Sequence, residues 1–157
     1  MRKTEYTKGY KFRLYPNKTQ KKLLNKILGC CRFVYNRFLT IRKESWETEK
    51  KSVSYNETSS LLTQLKKDEN FSWLNEADSI ALQQSLRNLD TAYQNFFKNG
   101  RGYPKYKSKK NHRQTYRTMN IRIEGKRIRL PKVGSVKFEQ SRDFQGKILS
   151  ATIRFFA

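Results

Sequence analysis

The residues able to do chemistry here are cations interleaved with flat rings. Gly102-Tyr103-Pro104-Lys105-Tyr106-Lys107-Ser108-Lys109-Lys110 alternates ammonium groups with phenols. Lysines neutralise phosphates, and tyrosines offer faces for base or sugar stacking, worth about 1–3 kcal/mol per stacked base. A metal-dependent nuclease needs instead a set of carboxylates converging on Mg²⁺. Asp68, Asp78 and Asp90 fall in or beside expected helices, where capping and solubility account for them, and Asp143 falls in a turn. His112 is the single histidine, so a His-based triad or a two-His zinc site lacks its second imidazole. Cys30 and Cys31 are adjacent, which suits neither an ordinary disulfide nor a CxxC zinc knuckle, and they read as buried thiols. The glycines are scattered, with no phosphate-cradling loop. The expectation is a binding protein with no catalytic residue, no metal ligand and no cofactor.

Charge points to the partner. Thirty-five Lys and Arg against thirteen Asp and Glu leave +22 at pH 7 in 157 residues, a surface that gathers polyanions. Residues 1–43 hold thirteen basic groups against Glu5 alone, residues 44–90 hold five against nine acidic ones, and residues 91–157 hold seventeen against three. The two flanks therefore form the polyanion surface around a more ordinary middle. Their candidate RNA and phosphate contacts are Lys11, Arg13, Arg32, Arg37, Tyr103, Lys105, Tyr106, Lys107, Lys109, Lys110, Arg113, Arg117, Arg129 and Lys132. No signal peptide, lipidation signal, basic amphipathic terminal helix or membrane-length apolar run is present, so a membrane partner is not expected. The expected location is cytoplasmic and nucleoid-associated.

The elements that must position these groups follow from periodicity. Lys8 to Tyr15 alternates, with Tyr10, Phe12 and Leu14 on one side, and predicts a strand stopped by Pro16. Asn17 or Thr19 then caps a helix with apolar residues Leu24, Leu28, Cys31, Tyr35 and Phe38, Gly29 offering a point of division into two helices. A second helix follows Asn56, and a third runs from near Asp78 to Asn99-Gly100. Arg101 to Arg117 lacks periodicity and predicts a basic loop. Ile121 to Leu130 predicts a hairpin turning at Glu124-Gly125-Lys126, with one apolar and one cationic face; Val136-Phe138 and Ile148-Phe155 predict further strands. Strand, helices, then strands predict an α+β fold, a small antiparallel β-barrel (1–16 and 100–157) interrupted by a helical insertion (17–99).

Several blocks, in order, resemble one family. They are Tyr10-Lys11-Phe12-Arg13-Leu14-Tyr15-Pro16-Asn17, Gly29-Cys30-Cys31-Arg32-Phe33-Val34-Tyr35-Asn36, Ala81-Leu82-Gln83-Gln84-Ser85-Leu86-Arg87-Asn88-Leu89 and the Gly102–Lys110 loop, continued by Tyr116-Arg117-Thr118 and Leu130-Pro131-Lys132-Val133-Gly134. Together they resemble the TnpB family of transposon-encoded RNA-guided DNA nucleases, long described as OrfB-type transposases with an N-terminal helix-turn-helix and related to type V CRISPR effectors. The resemblance implies a wedge domain of oligonucleotide-binding barrel type interrupted by a helical recognition domain. It implies that the basic barrel face holds the guide RNA while insert and barrel read a short duplex DNA motif beside the target. Tyr55, Ser59, Gln83 and Thr118 match positions resembling the motif-reading set, and Ser79 stands where a relative carries lysine. An amide such as Gln83 can pair bidentately with adenine in the major groove. The family's nuclease carboxylates and zinc-ribbon CxxC pairs would follow the last strand and are not among these residues.

Three readings stand at this stage. The first is the recognition half of a TnpB-like protein, binding guide RNA and target-adjacent double-stranded DNA without cutting. The second is an RNA-independent helix-turn-helix DNA binder acting as transposase accessory or repressor. The third is an enzyme, either a small nuclease in its own right or one half of a split nuclease whose partner is a separate nuclease-domain chain.

Overall fold

The structure, a computed structural model, describes residues 5–110 and 114–155, so Arg113 and His112 lie outside the described residues. Strand β1 (Arg13–Tyr15) leads into helix α1 (Lys18–Glu49). Asn17 caps α1: the Gln20 amide N–H donates to Asn17 Oδ1 at 2.8 Å, and the Asn17 N–H donates to Gln20 Oε1 at 3.0 Å. The same Gln20 donates through Nε2 to the Ser135 carbonyl at 2.6 Å, tying the helix start to the sheet.

Helix α1 runs through Gly29 without a break. A glycine inside a helix costs about 0.5–1 kcal/mol relative to alanine, far less than the burial of Ile27, Leu28, Val34 and Phe38 on the same face contributes. The apolar register continues across the glycine, so the helix does too. Lys50, with φ +52, ends it. Helix α2 (Tyr55–Lys67) begins at its Ser54 cap, two residues earlier than Asn56, and a 3₁₀ segment (Glu69–Glu76) joins it to α3 (Ser79–Asn99). Asp78 caps α3, its Oδ2 accepting from the Ala81 N–H at 3.1 Å, and Gly100 closes it at φ +63.

The strands after α3 are β2 (Thr115–Thr118), β3 (Arg122–Glu124), β4 (Arg127–Leu130), β5 (Gly134–Glu139) and β6 (Ala151–Arg154). They correct the sequence expectation in three places. The expected barrel does not close among the described residues: a four-stranded antiparallel sheet, β1-β5-β4-β3, stands apart from the two-stranded β2-β6. The opening strand is short, because β5 offers only Lys137–Glu139 opposite Arg13–Tyr15, and Tyr10 and Phe12 pack on Phe144 instead. The basic loop ends earlier than Arg117, since Thr115–Thr118 pairs with Ala151–Arg154 and turns Tyr116 and Thr118 inward. The hairpin forms as expected, with Gly125 at φ +62 in the two-residue connection between paired Glu124 and Arg127.

One core joins helices and strands. Val34, Phe38 and Leu39 of α1, Leu62 of α2, and Leu82, Leu86 and Leu89 of α3 are contiguous with Tyr116, Leu130, Val136 and Ile153. The helical face and the cationic strands therefore keep a set geometry relative to each other.

Candidate nucleic-acid interface

The first cluster lies where α2 crosses α3. Tyr55 and Ser59, one turn apart on α2, both donate hydroxyl hydrogen bonds to Gln83 Oε1 of α3, each at 3.0 Å. Arg87, one turn beyond Gln83, lies 5.0 Å from the Tyr55 ring centroid. Ser79, one turn before Gln83, is exposed. The geometry changes the chemistry expected of Gln83. Both lone pairs of its carbonyl are occupied, so bidentate pairing with adenine would have to displace a hydroxyl. Held this way, Gln83 offers its Nε2 N–H groups, which suit an acceptor on a base edge.

Thr118 stands apart from this cluster. It is fully buried, and its hydroxyl donates to Asp78 Oδ2 at 2.7 Å. Thr118 thus fastens the start of α3 to β2, and its side chain does not reach the surface that Gln83 shares.

The basic loop is bolted to α1. The Lys107 N–H donates to Asn36 Oδ1 at 2.7 Å and Asn36 Nδ2 donates to the Lys107 carbonyl at 2.8 Å, closing a two-bond clamp. Tyr106 shares a hydroxyl hydrogen bond with Thr40 at 2.8 Å, and Arg32 donates to Gln114 Oε1 at 3.1 Å. Asn36 carried no signal in the sequence, because one polar residue on a helix gives no sign of a backbone clamp 71 residues away. Tyr103 turns toward the protein, edge-on to Tyr93 and Phe96 with centroids 5.5 and 5.2 Å away, and shares a hydrogen bond with Tyr93. Tyr106 is 52% exposed and Tyr103 38%, so Tyr106 keeps more of its ring open for stacking. Lys105, Lys109 and Lys110 are exposed. The Lys107 ammonium lies 4.4 Å from the Tyr35 centroid, and burial lowers its pKa from the ordinary lysine value. Arg37 lies over Phe71, 4.8 Å from its centroid.

The third surface is the outer face of the larger sheet. Exposed Arg122 pairs directly across from Arg129, and Arg127 across from Lys137. Like charges directly opposite each other destabilise a sheet, and a polyanion laid over them relieves that repulsion. Arg13 is exposed at one edge opposite Glu139, whose carboxylate accepts from the Tyr15 hydroxyl at 2.9 Å. Lys11 is exposed before β1, Lys132 in the β4–β5 turn and Arg117 on β2.

No cluster of three or more His, Cys, Asp or Glu able to hold a metal occurs among the described residues. No helix among them is long and apolar enough to cross a membrane. Burial pushes the Cys30 thiol up to about 11 and the Cys31 thiol up to about 12.

Residues 1–51 match the family model of the OrfB/IS605 helix-turn-helix domain. A Streptomyces pristinaespiralis protein named "Putative RNA-guided DNA endonuclease" is 43% identical over 106 residues, covering 68% of this chain and 26% of that protein. InsQ of Escherichia coli (strain K12), which carries the same name, is 32% identical over 147 residues, covering 92% of this chain and 37% of that protein. The virulence protein VsdF of Salmonella dublin is 37% identical over 91 residues, 54% of this chain and 76% of that protein. The chain thus spans about a quarter to a third of the length of the two endonuclease-named relatives. With its matched blocks in order along nearly the whole sequence, the chain belongs to the TnpB family and corresponds to its N-terminal region.

Proposed function

We propose that this chain is a nucleic-acid recognition module that binds guide RNA on its cationic strands and loop and reads a short duplex DNA motif with the Tyr55–Ser59–Gln83 cluster. The two sheets serve as an open counterpart of the oligonucleotide-binding barrel, and residues 17–99 as the recognition insert. The observation that carries this reading is the pair of facing cations, Arg122 with Arg129 and Arg127 with Lys137, on one exposed sheet face. RNA guidance enters from the names of the relatives. Recognition is the whole of the proposed role: the chain binds, and does not itself cut.

Sequencing the RNA that copurifies with the chain tests the reading. One defined species, bound with about a 10³–10⁵-fold loss of affinity between 50 and 200 mM salt if six to ten phosphates are contacted, is the expected result. The helix-turn-helix match favours a second reading, RNA-independent DNA binding. Motif binding of equal strength after nuclease removal of all RNA would select that alternative. Cleavage of a matched target in Mg²⁺ or Mn²⁺ that survives stringent purification would overturn the non-cutting role.

A further inference from the structure

The clamped loop roofs a recess separate from the Gln83 cluster. Its walls come from α1, α3, the loop and β2, and it holds about 80 Å³. One water needs about 10–15 Å³ of such space, so the recess has room for several waters or one tetrahedral oxyanion. Arg32, Lys107 and Arg117 line it, and among the described residues no carboxylate does. Among the described residues none of these cations forms an ion pair; the pairs present are Lys26–Glu76 and Arg42–Asp90. Arg117 is exposed and Lys107 is exposed overall with its ammonium packed over Tyr35, but Arg32 is half-buried; a half-buried cation without a counter-ion is unfavourable, and an anion entering the recess corrects that.

The neutral lining is also set for an acceptor. Asn88 takes a hydrogen bond from Gln84 Nε2 on its Oδ1 at 3.1 Å, which leaves its own Nδ2 as a donor. Tyr116 contributes to the wall and is 3% exposed, and among the described residues its buried hydroxyl has no hydrogen-bond partner. The Asn36 clamp holds the Lys107 backbone at both its N–H and its carbonyl, so the roof is set before any ligand arrives.

We propose that this recess is a seat for a single phosphate group, held between Arg32, Lys107 and Arg117. It rests on the reading of the loop as a phosphate-binding segment and narrows that reading to one site. The phosphate comes either from the 5′ end of a strand or from a sharply bent stretch of backbone, and the experiment separates the two.

The probe is inorganic phosphate added to the full chain at constant ionic strength and followed on backbone amides by heteronuclear NMR. Saturable shifts confined to Lys107, Ser108, Thr115 and Tyr116 are expected. Lys107→Met, which keeps an apolar stem over Tyr35, should weaken binding about tenfold or more, the loss of one hydrogen bond to a charged group. Lys98→Met, exposed near the end of α3 and outside the recess, should leave it within about twofold. If Lys107→Met does not fold, Arg117→Gln on the exposed side of β2 takes its place. Short single strands with and without a 5′-phosphate then identify the source: shifts from the phosphorylated strand alone mean an end phosphate, and shifts from both mean a backbone phosphate. Non-saturating shifts spread over the basic surface, or undiminished affinity in the variant, would overturn the proposal. Salt-sensitive RNA binding that persists after such a failure leaves the broader function standing, whereas phosphate binding without RNA binding removes the broader function and keeps the seat.

Discussion

Gln83→Glu separates what Gln83 does for the fold from what it does for a ligand. In the folded chain the Gln83 carbonyl accepts from Tyr55 and Ser59, each at 3.0 Å. A glutamate carboxylate accepts the same two bonds, so stability should change by less than about 0.5 kcal/mol, as for a partly exposed site that keeps its contacts. The N–H groups are lost, however, and on the proposed reading a negative charge would face the DNA. A side-chain-to-base contact is worth about 1–3 kcal/mol, which corresponds to a loss of roughly 5- to 150-fold on the preferred motif. Gln83→Ala is the complement: it removes the acceptor from two hydroxyls and should lower stability by about 1–2 kcal/mol, each net hydrogen bond contributing about 1. Denaturant midpoints and duplex affinities on preferred and unrelated sequences read both effects. Should Gln83→Glu bind the preferred motif as tightly as the parent, or weaken all duplexes alike, the donor role assigned to Nε2 is wrong.

Three further outcomes follow from the same geometry. Gly29→Ala should raise the melting temperature by about 1–4 °C, because a Cβ there meets only Arg32 Nη2 at 3.6 Å while the helix loses its most flexible residue; a lower melting temperature in calorimetry would show that the glycine is needed for the fold. Thr118→Val deprives the buried Asp78 carboxylate of one of its hydrogen bonds and should cost about 1–3 kcal/mol in chemical denaturation while leaving motif preference intact; relaxed preference without destabilisation would make Thr118 a base contact after all. With folded thiols at about 11 and 12 and unfolded ones near 9, the two cysteines should resist iodoacetamide at pH 8 until the chain unfolds. Their contribution to stability is fully present below pH 9 and declines as pH rises through that window, since the unfolded chain ionises first; alkylation of native protein as fast as of denatured protein would contradict it.

Local chemistry was legible and long-range pairing was not. Asn17, Gly100 and Gly125, and Asp78 in its capping role, each act within a turn of their own position, so a cap or a hairpin connection could be read from neighbours alone. The closure of the sheet depends on partners far apart: β1 finds β5 across the entire helical insert, and β2 finds β6 beyond the whole hairpin. Alternation shows which face is apolar without showing which strand it meets, and that is why two sheets stand where one barrel was expected. For the candidate site, the clustering of Tyr55, Ser59 and Gln83 came from the family resemblance. The direction of their hydrogen bonds, and so the donor character of Gln83, needed atoms. Most of the candidate cations stand exposed but Arg32 and Arg37 are half-buried, and the inward turn of Tyr103 was set by Tyr93 and Phe96, on a helix that the loop's own composition does not mention.

Asp78 links these surfaces. It caps α3 through the Ala81 N–H and holds β2 through the Thr118 hydroxyl, so the helix start and the strand following the basic loop share one buried carboxylate. Gln83 lies little more than a turn beyond that anchor, a distance of about 7 Å at 1.5 Å per residue. Arg117, next to Thr118 on the same strand, lines the recess on the other side. On the proposed reading, a base contact at Gln83 and a phosphate at Arg117 would therefore be held in mutual register by groups that touch neither ligand. A strand seated at the wrong offset would satisfy one and strain the other, and binding both at once becomes a geometric test of the nucleic acid as well as an electrostatic attraction.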